Sequence, residues 1–197
     1  MAGVPDETTA GSKTVLLVDL CCGSGALGAA VAARLLAAGH DVEVHAADID
    51  PKAVTCAQHN FDTLAGDVAP GTGRLTAHTS TGDLAAPLPA EVWGRVEILI
   101  ANAPYVPTEA ISMMPPEARE HEPHTALDGG DDGLTILRRV ISLAPRLLRA
   151  GGHLLVETGE TQVSAVVGHM KAAGLRTTVL SDAELGATAL AATLPTT

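Results

Sequence analysis

The hydrophobic residues of the chain alternate between short continuous runs and longer segments with helical spacing. Continuous apolar runs rich in β-branched residues are typical of strands buried on both faces of a parallel sheet. The predicted strands are Thr14–Val18, Val42–Ala47, a segment within Arg74–Ser80, Val96–Ala101, His153–Val156 and weaker ones within Leu175–Leu180 and Thr188–Leu194. The pattern therefore predicts seven strands.

Helical segments separate most of these strands. Apolar spacing predicts helices over Ala26–Ala38, from Pro51 onward, over Leu134–Leu143 and over Thr161–Ala173. Proline is favoured in the first turn of a helix, so Pro51 is expected to open one, whereas Pro145 is expected to kink or restart another. Gly151-Gly152 is expected to form a turn. Strands that alternate with helices predict a doubly wound, mostly parallel, Rossmann-like α/β sheet.

Length and composition favour one globular domain. The chain has 197 residues, of which 46% are apolar and 18% charged. Residues 1–13 are predicted to be a flexible tail, and residues 14–197 the single domain. No apolar run is long enough to cross a membrane, and the first residues lack the features of a signal peptide. The three cysteines form no CxxC pair, so reduced thiols and a cytoplasmic location are expected.

The charge of the chain disfavours nucleic acid as a partner. Its formal net charge is −11, which opposes binding to phosphates. The only aromatic residues of the Phe, Trp and Tyr types are Phe61, Trp93 and Tyr105, too few for a platform that stacks several bases.

A ligand site is expected where the strands end. In doubly wound sheets, ligands bind at the carboxyl ends of the strands, at the point where the strand order reverses. The segments that follow the first four predicted strands should therefore converge on one crevice. These segments are Asp19–Gly28, Asp48, Asp83–Leu84 and Asn102–Tyr105.

A long polar segment, Pro104–Gly133, follows the fourth predicted strand. Loops of this length in compact domains are usually functional. The segment contains His121 and His124 with Asp128, Asp131 and Asp132 nearby, but their spacing matches no known metal site. No metal is predicted.

A glycine-rich turn lies between the first strand and the first helix. Gly23, Gly25 and Gly28 form a G-x-G-x-x-G pattern, and Asp48 follows 20 residues after the last of them. Such a turn lets a ligand approach the backbone, and an acid in this place accepts hydrogen bonds from ribose hydroxyls. The motif predicts a cofactor that contains a nucleoside, without specifying which one.

Asp19 favours S-adenosyl-L-methionine over a dinucleotide. A carboxylate at the end of the first strand would repel the pyrophosphate of NAD, which prefers a helix N-terminus free of nearby anions. It would attract the sulfonium and ammonium groups of S-adenosylmethionine. An alternative is that Asp19 caps a helix or lies in a solvated loop; for Asp48 the alternative is a helix cap, although Asp50 is better placed for that role.

Asn102–Tyr105 is the candidate acceptor loop. The Asn102 carboxamide can hold a planar NH₂ group, and the carbonyl of Ala103 can accept the second proton. Pro104 restricts the backbone and Tyr105 can stack on a flat group. Holding a weakly nucleophilic amide nitrogen in line for displacement supplies orientation. The alternative is an ordinary turn with a half-buried tyrosine. Glu157, at the end of the fifth predicted strand, faces either the crevice or solvent.

These segments resemble the protein-(glutamine-N5) methyltransferases, which modify the Gly-Gly-Gln loop of peptide-chain release factors. The matching segments are VDLCCGSGALG (18–28), ADIDPKAVTCAQHN (47–60), GDL (82–84), ILIANAPYVP (98–107), EPHTALDGGDDGL (122–134) and GGHLLVETGETQ (151–162). The resemblance implies a class I methyltransferase fold, S-adenosylmethionine as donor and S-adenosylhomocysteine as product.

The resemblance also implies roles for individual residues. Asn102, Ala103, Pro104 and Tyr105 would hold the acceptor amide. The expected cofactor-binding residues are Asp19, Leu20, Cys21, Cys22, Gly23, Gly25, Asp48, Ile49, Asp83, Leu84 and Asn102.

Two departures from the family pattern bear on the acceptor. Ala103 stands where the family motif Asn-Pro-Pro-Tyr has its first proline, so the loop is expected to be less rigid. The family also has a helical N-terminal domain that engages the release factor, whereas only 13 residues precede the first predicted strand here. Both points weaken the release-factor hypothesis more than the methyl-transfer hypothesis.

Four hypotheses therefore remain open at this stage. The first is methylation of a glutamine amide in a protein such as a release factor. The second keeps the donor but uses a small-molecule amine or amide, or a nucleic-acid base. The third is an NAD-dependent oxidoreductase, and the fourth a binding module without catalysis.

Overall fold

The predicted strands form one seven-stranded sheet in the computed structural model, which describes residues 14–69, 72–115, 123–182 and 187–196. Its order is β3-β2-β1-β4-β5-β7-β6. The strands are β1 Val15–Leu20, β2 Val42–Asp48, β3 Leu75–Thr81, β4 Val96–Ala101, β5 Leu148–Glu157, β6 Arg176–Asp182 and β7 Ala187–Thr193. Neighbours among β1 to β5 are parallel, and β7 is antiparallel to both β5 and β6. The predicted fold class is confirmed.

Strand β1 lies at the centre of the parallel part of the sheet. All six of its residues are buried, as its continuous apolar run predicts. It pairs with β2 on one side and β4 on the other, so the chain reverses its direction of winding beside β1. This is the switch point at which ligands bind in such sheets.

Helices cover the sheet and complete two hydrophobic clusters. One cluster contains Phe61 and Leu36 and packs the first two helices against one face; the other contains Leu137, Ile141 and Met170. The helices are α1 Ala26–Ala37, α2 Pro51–Asp67, a short α3 His124–Leu127, α4 Thr135–Leu147 and α5 Val163–Ala172. Pro51 opens α2, as predicted.

Several predicted boundaries are wrong near the carboxyl-terminal half. Gly151-Gly152 does not form a turn between elements but lies within β5, where the pairing register with β4 shifts between Val96 and Ile98. Gly151 has a φ of 75° and its N–H donates to Leu194, so an irregular strand replaces the turn. Helix α4 runs two residues past Pro145, and a 3₁₀ turn at Glu160–Gln162 precedes α5.

The described parts of the segment after β4 contain regular structure that its polar sequence did not predict. It contains a 3₁₀ helix, Thr108–Met113, and the short α3, and it buries Ile111 and Leu127. Val106 forms an isolated parallel bridge with Asp128. His121, which entered the rejected metal hypothesis, and the predicted tail of residues 1–13 lie outside the described residues. Within the described ranges, no helix is both long and apolar enough to cross a membrane.

Candidate functional site

A cavity of about 710 Å³ opens at the carboxyl ends of β1, β2 and β4. The segments that follow the first four strands all contribute to its wall, as expected from the fold. The predicted site residues in the wall are Asp19, Cys21, Cys22, Gly23, Asp48, Ile49, Asp83, Leu84, Asn102 and Pro104.

Each glycine in the turn between β1 and α1 is needed at its position for a structural reason of its own. Gly23 has a φ of 55°, and its N–H donates to Asp48 Oδ2 at 2.8 Å. Gly25 has a φ of 74°, and a Cβ there would lie 3.0 Å from the ring of Phe61. A Cβ on Gly28 would lie 2.7 Å from Asp19 Oδ2. The turn is therefore fixed by backbone conformation at Gly23 and Gly25 and by close approach at Gly28.

Asp19 is buried beneath the start of α1, with only 1% of its surface exposed. Its Oδ2 accepts a hydrogen bond from the Gly28 N–H at 3.0 Å. Gly25, the N-cap of α1, has no side chain to cap the helix, so Asp19 provides that contact from the preceding strand. Asp19 therefore caps α1 through this hydrogen bond, as the alternative interpretation predicted, and it also lines the cavity.

Burial raises the pKa of Asp19 to about 7. The hydrogen bond from Gly28 opposes this shift, and the nearby Asp48 carboxylate adds to it. Loss of hydration disfavours the charged form of a buried acid. Near neutral pH, Asp19 is therefore divided between its charged and neutral forms.

Asp48 ties two loops together. Its Oδ2 accepts from Gly23 N–H, and its Oδ1 accepts from Asp50 N–H at 2.9 Å. Asp50, in turn, is the N-cap of α2, where its side chain accepts from Lys52 N–H at 2.8 Å. The expectation that Asp50 rather than Asp48 caps this helix is confirmed.

Cys21 and Cys22, two of the cysteines in the wall, are not activated thiols. Burial raises the pKa of Cys21 to about 12, with a further contribution from Asp48. Burial also raises the pKa of Cys22 to about 12, helped by Asp19. Nucleophilic cysteines need the opposite shift, because the thiolate is the reactive form. Cys21 and Cys22 therefore line the cavity without serving as nucleophiles.

Backbone strain is concentrated in this wall. The only described non-glycine residues with positive φ are Cys21 at 54° and Leu84 at 49°. Such conformations cluster at ligand sites, where the surrounding structure holds them. Next to Leu84, Asp83 forms a 2.7 Å ion pair with Arg139 of α4, which raises the pKa of Arg139. This partly exposed pair links the segment after β3 to α4 at the edge of the cavity.

The Asn102–Tyr105 segment lines a second, smaller cavity of about 200 Å³. Asn102 and Pro104 belong to the walls of both cavities. Asn102 is exposed, and its side chain has no hydrogen-bond partner among the described residues, whereas Ala103 is buried. A polar side chain therefore stands where the two cavities join.

Two residues beyond the loop hold Tyr105 in place. The Tyr105 hydroxyl donates to Glu157 Oε1 at 3.3 Å, so Glu157, at the end of β5, contacts the acceptor loop. Gln162 Nε2 donates to the carbonyls of Tyr105 and Asp132 at 2.9 and 3.0 Å. Gln162 Oε1 accepts from Thr158 Oγ1 and from Gly159 N–H. Gln162 thus connects β5, the acceptor loop and the start of α4.

Two of the predicted cofactor-binding residues, Leu20 and Gly25, do not line the cavity, and some residues that do line it were not predicted. Leu20 is fully buried in the core and Gly25 packs against α2, so neither is among the described wall residues. Leu27 and Ile136 are wall residues that no sequence motif singled out, because both are apolar residues of helices. The bridging role of Gln162 had no local signal, because its partners are separated by up to 57 positions.

Known proteins are similar to this chain in sequence, and others are similar to it in fold. The sequence model of the family "Ribosomal protein L11 methyltransferase (PrmA)" matches residues 5–102. The release factor glutamine methyltransferase of Prochlorococcus marinus is 40% identical over 71% of this chain and 43% of its own length. That of Corynebacterium glutamicum is 36% identical over 76% of this chain and 48% of its own length.

The chain has the fold of the class I S-adenosylmethionine-dependent methyltransferases. Its sequence is similar to those of the release factor glutamine methyltransferases, as its motifs predict. It spans about half the length of the curated relatives that it matches.

Solved methyltransferases show the same fold at low sequence identity. A methyltransferase from Pyrococcus furiosus superposes with a TM-score of 0.60 at 13% identity, covering 94% of this chain and 77% of that one. The ribosomal protein L11 methylase from Lactobacillus delbrueckii subsp. bulgaricus gives 0.60 at 17% identity, with coverages of 95% and 73%. The class I methyltransferase fold therefore extends over nearly the whole chain.

Proposed function

We propose that the chain transfers a methyl group from S-adenosylmethionine to the side-chain amide nitrogen of a glutamine in a protein, such as a peptide-chain release factor. The sequence relatives support this choice of acceptor through their names. The position of Asn102, exposed where the two cavities join, is the structural observation that carries the proposal.

The cavity suits a cationic ligand better than a phosphate. Asp19, Asp48, Asp50 and Asp83 lie in its wall, against Lys52 as the one lysine or arginine among the described wall residues. A pyrophosphate would need the N–H groups at the start of α1, and Asp19 already accepts from Gly28 there. This arrangement supports S-adenosylmethionine over NAD and disfavours the oxidoreductase hypothesis.

In this proposal, residues of the larger cavity hold the donor. S-adenosylmethionine, when bound, supplies an electrophilic methyl group on its sulfonium. Asp19 favours the positive charge and Asp48 accepts from ribose hydroxyls, while Ile49 and Leu84 provide apolar wall. Cys21, Cys22 and Gly23 shape the turn around the ligand, and Asp83 stays paired with Arg139. Leu20 and Gly25 support this turn from behind.

The acceptor loop would orient the amide. The Asn102 side-chain carbonyl accepts one N–H of the glutamine amide, and the Ala103 carbonyl accepts the other, since an amide nitrogen has two protons to donate. Pro104 restricts the loop, and the ring of Tyr105 offers a flat surface for the planar group. Orientation is the main contribution that such a loop makes to the rate.

The direct test combines the purified chain, methyl-labelled S-adenosylmethionine and a purified release factor. We expect labelled N5-methylglutamine in the Gly-Gly-Gln loop of the release factor, identified by peptide mass spectrometry. A release factor with that glutamine replaced by alanine is the matched control. Absence of label from the release factor, with donor binding intact, would contradict the proposed acceptor.

Methylation of a small molecule is the second candidate for the acceptor. The smaller cavity, about 200 Å³, has room for the amide or amine group of a free molecule as well as for that of a glutamine side chain. Incubating the chain and labelled donor with cell extracts, then separating products by size, distinguishes the two. Label in the small-molecule fraction alone would replace the glutamine proposal. The cytoplasmic location stays a prediction.

A further inference from the structure

Two histidines and a glutamate, side chains of the types that ligate metals, lie together on the sheet outside the donor and acceptor cavities. Glu43 and His45 are two positions apart on β2 and therefore point to the same face. His78 on the neighbouring β3 is the register partner of His45, which brings it to that face as well. The three side chains share a site on two adjacent parallel strands.

Their donor atoms are close enough to share one ion. One ligand atom from each residue lies within 4.8 Å of the other two. His45 Nε2 lies 2.9 Å from Glu43 Oε1, and the rings of His45 and His78 stack with centroids 4.7 Å apart. Ligand atoms about 2.0 to 2.2 Å from a tetrahedral zinc ion are roughly 3.3 to 3.6 Å from one another. This spacing lies between the 2.9 Å distance from His45 to Glu43 and the 4.8 Å limit of the group.

A cavity of about 560 Å³ opens over this group. The segment joining β3 to β4 crosses here with only a short 3₁₀ turn, Ala90–Val92, so this face is not covered by a long helix. The wall contains none of the described residues of the donor cavity. An ion could therefore enter without passing the donor site.

We propose that Glu43, His45 and His78 bind a divalent transition-metal ion of the zinc type. Two imidazoles and one carboxylate are a ligand set that zinc accepts, leaving a fourth position for water on the cavity side. Soft-cation and alkaline-earth ions are disfavoured, because the set contains no thiolate and too few oxygen atoms.

The environment of the group supports ion binding. His45 is only 7% exposed, so its ring is fixed by packing, and its partners come from two paired strands. The charged side chains in the surrounding wall are Glu91 and Arg95; the Arg95 guanidinium donates to the Glu91 carbonyl. The bound ion would cross-link the edge strand β3 to β2.

Calorimetric titration of the chelator-treated full chain with zinc chloride tests this proposal. We expect one saturable site in the wild type. His78→Ala, a change at an exposed position, and Glu43→Gln should each weaken binding by at least about 10- to 100-fold, as the loss of even an outer partner does. Zinc should raise the melting temperature of the wild type and leave that of His78→Ala unchanged.

Matched variants separate this site from other zinc ligands. His59→Ala removes an exposed histidine from α2, and Cys56→Ser removes the exposed thiol; both should bind zinc like the wild type. Absence of zinc binding in the wild type, undiminished binding by His78→Ala, or loss of binding in Cys56→Ser would each overturn the proposal. His78→Ala should retain methyl transfer, so failure of this site and failure of the proposed function are distinguishable.

Discussion

The donor and acceptor sides of the site differ in how their polar groups are used. On the donor side, the carboxylates are already bonded to the backbone: Asp19 to Gly28, and Asp48 to Gly23 and Asp50. On the acceptor side, the Asn102 carboxamide is exposed, and its loop is held from behind by Gln162. The donor side is thus organised before a ligand arrives, while the acceptor side presents a group that is available to one.

The largest expected effect comes from Asn102→Ala. Loss of a positioned polar group typically lowers kcat by about 10²- to 10³-fold, and we expect a loss of that size here. Binding of S-adenosylhomocysteine, measured by calorimetry, should change far less. Asn60→Ala removes the other asparagine, which donates to the Ser24 carbonyl on the donor side. It should weaken donor binding and spare the transfer rate at saturation; the reverse pattern would break the proposed division of roles.

Gln162→Glu tests whether the acceptor loop is positioned from behind. The carboxylate can still accept from Thr158 and Gly159 but cannot donate to the carbonyls of Tyr105 and Asp132. We expect kcat to fall by about 10- to 100-fold through misplacement of the loop, with donor affinity retained. Gln162→Ala, which removes both ends, should also lower the free energy of unfolding by roughly 1 to 3 kcal/mol. Unchanged kcat in Gln162→Glu would mean that the loop needs no such support.

Asp19→Asn tests the electrostatics of the donor side. The amide can still accept from Gly28 N–H but carries no charge. We expect about tenfold weaker binding of the cationic S-adenosylmethionine, with a smaller effect on neutral-sulfur S-adenosylhomocysteine. Because the pKa of Asp19 is about 7, wild-type affinity for the cation should fall as the pH drops below 7. The variant should lose this component of the pH dependence, which titrations at several pH values would show.

Asp19→Asn is expected to weaken binding of S-adenosylmethionine but to stabilise the folded protein at neutral pH. The folded-state pKa of Asp19 is raised from 3.8 to about 7, so its contribution to stability is present below pH 3.8 and is lost as the pH rises through 7. Relative to Asp19→Asn, the wild type should therefore lose free energy of unfolding over that range, on the order of a few kcal/mol. Urea denaturation at pH 5 and pH 8 measures the difference. An equal response of both proteins to pH would contradict the proposed burial of charge.

Tyr105→Phe should give the smallest effect. The ring remains, and the 3.3 Å hydrogen bond from the hydroxyl to Glu157 is lost. A typical hydrogen bond contributes about 0.5 to 1.5 kcal/mol, so we expect at most a few-fold change in kcat and a small loss of stability. Glu157→Gln keeps an acceptor and serves as the matched variant. A loss in Tyr105→Phe as large as that in Asn102→Ala would assign the hydroxyl a direct role in transfer.

The sheet and the donor side were largely predictable from sequence, for local reasons. The apolar run of β1 predicts a buried strand, and the glycine pattern after it predicts a tight turn. Because ligands bind at the carboxyl ends of the strands in such sheets, Asp19 and Asp48 were expected to lie close together. The hydrogen bond by which Asp19 caps α1 at Gly28 was predicted only as an alternative to a place at the ligand site. The structure shows both, because one carboxylate oxygen caps the helix while the residue also lines the cavity.

The parts that escaped prediction depend on contacts between distant residues. Gln162 bonds to Tyr105 across 57 positions, and His45 meets His78 only because β2 and β3 pair in one register. Gly151-Gly152 looks like a turn, but pairing with neighbouring strands keeps it in β5. Local composition carries no information on such partners, since tertiary pairing decides them.

The most direct test of the donor site is calorimetric titration of the wild type with S-adenosylmethionine, S-adenosylhomocysteine and NAD under one set of conditions. With Asp19 occupying the start of α1, we expect the first two to bind at one saturable site and NAD to give no binding heat. NAD binding as tight as that of S-adenosylmethionine, or no binding of either sulfur compound, would contradict the account.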